Sequence, residues 1–97
     1  MSAEDARHFA NVIRAATYRI TYHNNRIVDL DERMVEPDGH PDTEQYNDDL
    51  SERIQRHERE IARLEDRLSD AQEALERHRR LMWSTFKHRR AVQRGEK

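Results

Sequence analysis

Three groups of residues in this 97-residue chain have side chains suited to binding or catalysis. The largest is the C-terminal stretch "ERHRRLMWSTFKHRRAVQRGEK". Residues 77–97 hold eight Lys or Arg against one acid, a net +7, while residues 1–76 carry -9. Arg77, Arg79, Arg80, Lys87, Arg89, Arg90 and Arg94 are of the type that neutralises phosphates, and Trp83 and Phe86 of the type that stacks on bases. The same pattern also suits a helix C-terminus that complements its own dipole and keeps an oligomer contact soluble, or a basic tail that contacts the acidic half of a second copy. The basic residues are spread around the helix, so a membrane surface is not an expected partner.

The second group is His23, His57 and Glu60. Two imidazoles and a carboxylate are metal-ligand types, but di-metal bundles need Glu-x-x-His pairs and further inward carboxylates. Here the order is His57-x-x-Glu60 and no complementary set follows. The expected reading is core histidines, with no metal and no cofactor. Buried and neutral, they would make the fold sensitive to acid.

The third group is acidic: Asp29, Asp31, Glu32, Glu36, Asp38, Asp42, Glu44, Asp48 and Asp49. No nucleophile–base arrangement, Gly-rich phosphate loop or carboxylate pair in a cleft accompanies any of the three groups, so an enzyme is not expected.

The elements that position these residues follow from composition and spacing. Only 34% of residues are hydrophobic and 39% are charged, with a mean hydropathy of -1.26. That is too little apolar material for a compact core of this size. The net charge of -2 is nevertheless small, and the apolar residues are regularly spaced. Long helices that each bury a narrow stripe satisfy both facts. With no Cys there can be no disulfide or thiolate chemistry. The start, MSAEDARHFANVIR, has no signal-peptide pattern, and no apolar run reaches membrane-span length. A cytoplasmic protein is the expectation.

Both Pro and Gly39 fall in "VEPDGHPDTE", residues 35–44, the one turn-like segment inside the chain. Pro37 stops a helix at or before Glu36. Asp42, with Gln45 three residues on, has the form of an N-cap; Ser2 caps the first helix, and Gly95 suits the end of the second. The spacing predicts helix 3–35, loop 36–42 and helix 43–94, a single all-α antiparallel coiled-coil hairpin with a longer second helix.

One stripe runs Phe9, Ile13, Ala16, Ile20, His23, Ile27, Leu30 and Met34. The other runs Leu50, Ile54, His57, Ile61, Leu64, Leu68, Ala71, Leu75, His78 and Met82. Alternating steps of three and four over several heptads define a seam. Volume filling favours facing residues whose numbers sum to about 84, each Ala opposite a large residue and each His opposite an Ile. This register sets Arg26 beside Glu60. Glu52–Arg56, Glu73–Arg77 and Glu76–Arg80 are i,i+4 pairs along the second helix.

At 1.5 Å per residue the second helix outruns the first by roughly 20 Å. The overhang holds Leu81, Met82, Trp83 and Phe86, and Tyr18 and Tyr22 lie on the first helix away from the seam. These six are the expected protein-binding residues. A thin hairpin gains by pairing into a four-helix bundle, most simply as a C2 homodimer. The expected function is therefore a non-enzymatic interaction module, an adaptor, assembly component or regulator, that binds itself or another protein. Nucleic-acid binding through the basic segment is the alternative. A further alternative is an inhibitor that puts its acidic tip into a nucleic-acid-handling protein. An acidic tip on a helical hairpin is similar in outline to transcript-cleavage factors of the Gre type, through "DTEQY" and the coiled coil that follows. The hairpin's length and shape are also similar to WXG-type secreted proteins, although no Trp-x-Gly stands at the turn. Neither likeness assigns a family.

Overall fold

The computed structural model describes residues 2–93, with side chains described as far as Thr85. Two helices, α1 (Ala3–Glu32) and α2 (Pro41–Gln93), pack along each other as an antiparallel hairpin 82 Å long and 19 by 15 Å across. Ser2 opens α1 with a capping box. Its Oγ accepts from the Asp5 N–H at 3.2 Å, and the Asp5 carboxylate accepts from the Ser2 N–H at 3.0 Å. These bonds to Ser2 hold the Asp5 carboxyl below its usual range.

α1 ends at Glu32, short of the expected residue 35. Its last turn tightens, with the Arg33 N–H donating to the Leu30 carbonyl and the Met34 N–H to the Asp31 carbonyl, each at 3.1 Å. The Val35 peptide is then taken out of the helix by α2. Its N–H donates to Asn47 Oδ1 at 3.0 Å, and its carbonyl accepts from Asn47 Nδ2 at 2.7 Å. One side-chain amide thus satisfies both backbone groups and fixes where the chain turns back.

α2 starts at Pro41, not after an Asp42 cap. Proline suits the first helical position because that N–H would have no intrahelical partner. The first α-helical bond runs from the Glu44 N–H to the His40 carbonyl at 3.1 Å, which makes His40 the capping residue. The Asp42 N–H is satisfied by His40 Nδ1 at 3.1 Å. Asp38 accepts from the His40 N–H at 2.9 Å and the Thr43 hydroxyl at 3.2 Å, and these bonds lower its pKa. Gln45 plays no capping part; its amide donates to Asp49 within α2. Gly39 supplies the positive φ, 78°, that this reversal needs. The expected end at residue 94 lies outside the described residues.

Every expected seam residue from Phe9 to Met34 and from Leu50 to His78 is buried or half-buried. The register differs from expectation. His23 and His57, assigned to adjacent layers, face each other directly, with Nδ1 to Nδ1 at 2.8 Å. Ala16 shares a groove with Leu64, and Phe9 shares one with Ala71. Facing numbers therefore sum to about 80, one layer short of the expected register. Small residues still oppose large ones, so volume filling cannot separate the two registers. The polar pair can. A His opposite an Ile would leave ring nitrogens half-buried without partners, whereas paired histidines satisfy each other.

There are three further differences. Glu60 bridges Arg19 at 4.0 Å and Arg63 at 3.8 Å, while Arg26 turns to Asp29 at 3.9 Å, so the expected Arg26–Glu60 pair is absent. The seam also ends one residue type sooner, at His78. Met82, expected as its last member, is 57% exposed, because α1 begins level with about residue 77 and nothing of α1 lies beyond. Of the i,i+4 pairs, Glu52–Arg56 (2.9 Å) and Glu76–Arg80 (3.5 Å) form, whereas Glu73–Arg77 does not close within 4.0 Å.

Candidate functional site

The shifted register enlarges the overhang. Past His78, which is 8% exposed at the start of α1, α2 continues beyond the start of α1 from Arg79 to Gln93, roughly 22 Å of helix. Leu81, Met82 and Trp83 are each more than half exposed on it. Arg77, Arg79 and Arg80 are exposed at its base. Arg80 leans on Glu76, but Arg77 and Arg79 have no carboxylate within 4.0 Å among the described residues. The side chains of Phe86, Lys87, Arg89 and Arg90, and all of Arg94, lie outside the described residues.

Tyr18 (77% exposed) and Tyr22 (53%) stand on α1, away from α2. The overhang and the tyrosines are thus separate surfaces along the rod. Three more exposed apolar residues, not singled out in the sequence, lie toward the turn end: Val28 near the end of α1, Val35 in the loop and Tyr46 near the start of α2. Residues 29–49, which hold the nine acidic residues of the turn region, carry a net charge of -8.

Two shallow grooves on one side of the hairpin join end to end. One is lined by His8, Asn11, Val12, Ala15, Ala16, Arg19, Leu64 and Arg67, and the next by His8, Phe9, Val12, Arg67, Asp70 and Ala71. Neither encloses a ligand-sized cavity walled on all sides, and neither gathers convergent acid–base groups.

The histidine pair is the most constrained polar feature. At 2.8 Å one Nδ1 must donate and the other accept, so the rings hold complementary tautomers and cannot both be protonated there. Burial, then the neighbouring His23 and Arg26, push the His57 pKa down. Tyr22 packs edge-on against His23 with ring centroids 5.3 Å apart. Glu60, half-buried one turn from His57, is engaged by Arg19 and Arg63. No group of three or more His, Asp or Glu among the described residues is arranged to hold a metal ion. None of the described helices is long and apolar enough to cross a membrane.

Comparison with known proteins returns no match to a family model, a curated protein or a solved structure. The functional reading therefore stands on the surfaces themselves.

Proposed function

We propose that the chain is a non-enzymatic interaction module, a small adaptor, assembly component or regulator, whose α2 overhang docks on protein. The observation that carries this reading is the exposure of Leu81 (62%) and Met82 (57%) on a helix that continues past the start of α1. A helix of this length gains little stability from propensity alone and needs an apolar face covered. Exposed apolar clusters on small soluble chains mark contacts. The hairpin's own core is slight, with Ala16, Leu30, Leu50, Leu64 and Ala71 its only fully buried hydrophobic residues among those described. Further burial on a partner offsets that deficit.

Light-scattering mass measurement, alone and with candidate partners, tests the reading on the wild type and a Leu81→Ser, Met82→Ser variant. The serines should abolish or weaken every complex the wild type forms. Complexes unaffected by them would refute the overhang as the contact.

Nucleic-acid binding is the second reading, favoured by the exposure of Arg77 and Arg79, which pair with no carboxylate among the described residues. It predicts affinity for DNA or RNA that falls steeply with salt and is lost on Arg79→Glu, Arg80→Glu with the helical fold intact.

A further inference from the structure

We propose that the partner of the overhang is a second copy of this chain, laid antiparallel so that each basic overhang lies along the other copy's acidic turn. This rests on the reading of the overhang as a protein-contact surface. Charge selects the orientation. The overhang end carries +6 over residues 77–93 and the turn end -8 over residues 29–49. Parallel copies would set like charges together at both ends; antiparallel copies set opposite charges together at both ends.

The exposed apolar groups agree with that orientation. Val28, Val35 and Tyr46 lie at the turn, and Leu81 and Met82 at the overhang. Placed on one axis through the His23–His57 register, the two groups are separated by about 34 residue rises, or roughly 50 Å. Their midpoint is level with Ala15. A two-fold axis there brings each turn end level with the other copy's overhang, and sets Arg80 level with Asp31 of the second copy.

The centre fits as well. The same axis carries Tyr18 of one copy to the level of Ile13 in the other. That level is the middle of the groove lined by His8, Asn11, Val12, Ala15 and Ala16, where small side chains leave room for a ring. A strip roughly 10 Å wide along the 82 Å rod offers about 800 Å² per copy, the size of an ordinary stable interface. The result is a four-helix assembly over most of its length, closed by symmetry.

The chain has no Cys, so single introduced thiols report orientation cleanly. Glu36→Cys and Ser84→Cys proteins are each oxidised alone and as an equal mixture, beside mass measurement over a concentration series. Within one chain these positions are roughly 60 Å apart, so no internal bond can form. The expected result is a dimer by mass and a covalent dimer only in the mixture. Arg79→Glu, Arg80→Glu should weaken the dimer about tenfold or more, and mixing it with an Asp31→Lys, Glu32→Lys protein should restore pairing. Covalent dimers from each protein alone would show parallel copies and overturn the proposal. A strictly monomeric protein would overturn it too, while leaving the overhang free to bind a different protein. A dimer unmoved by Leu81→Ser, Met82→Ser would overturn both this proposal and the reading beneath it.

Discussion

Replacing the two seam histidines by leucine, singly and together, tests the observed register directly. The 2.8 Å bond between half-buried rings carries a net ~0.5–1.5 kcal/mol. Either single variant, His23→Leu or His57→Leu, loses that bond and leaves the other ring's Nδ1 with no partner in a half-buried seam. A cost of about 1 kcal/mol each is expected. In the double variant no polar atom is stranded and two leucines pack across the seam, so its stability should return to near or above wild type. The coupling energy is then about 2 kcal/mol. Urea unfolding followed by circular dichroism, at one protein concentration and pH 7.5, measures it. His23→Leu with His78→Leu is the control; these sites are roughly 30 Å apart and should add within ~0.5 kcal/mol. Coupling between residues 23 and 57 no larger than the control would refute the pairing and the register built on it.

The same variants read the proton linkage. The folded-state pKa of His57 lies below its unfolded value of about 6.5. Above that value neither state binds the proton, and the stability is fully present. As pH falls through it the unfolded chain protonates first, so stability drops until the folded pKa is passed. The nearest charged groups are Arg26, which adds to the depression, and Glu60, held by two arginines. Melts between pH 7.5 and 5.5 should show a smaller loss in His57→Leu than in wild type. An equal or greater loss in the variant would refute a depressed His57.

Three other perturbations have definite outcomes. Leu30→Ala, at the most buried side chain (1% exposed), should cost about 3 kcal/mol in urea unfolding, while Leu81→Ala in dilute protein should stay within ~0.5 kcal/mol. Asn47→Ala removes both bonds to the Val35 peptide, and about 1–2 kcal/mol of loss is expected, with faster amide exchange at Val35. Gly39→Ala meets nothing within 4 Å, so its cost of about 1 kcal/mol, read from the thermal melt, would come from the positive φ alone, and Gly39→Asn should cost less.

How much of this architecture could be read in the sequence depends on the range of each interaction. Local rules suffice for helix identity, the Ser2 cap, the break at Pro37 and the stripe Phe9–Met34. Each depends on residues within a few positions of one another, which the 3.6-residue period makes visible. The ends of α1 and α2 were less legible. Asn47 takes the Val35 peptide from 12 residues away, and His40, not Asp42, caps α2, with Pro41 at the first helical position.

The sequence by itself determined an all-α hairpin with unequal arms, its opposed charge ends, and the exposure of Leu81, Met82, Trp83, Tyr18 and Tyr22. Only the tertiary structure decided how the arms slide against each other. A heptad seam shifted by one layer still places apolar on apolar and small beside large, so the one-dimensional pattern is nearly degenerate. The degeneracy is lifted where directional groups meet, at His23 with His57 and at Val35 with Asn47. Hydrogen bonds have a required distance and angle; apolar burial requires only proximity. That slide exposes Met82 and sets the length of helix left for a partner to cover.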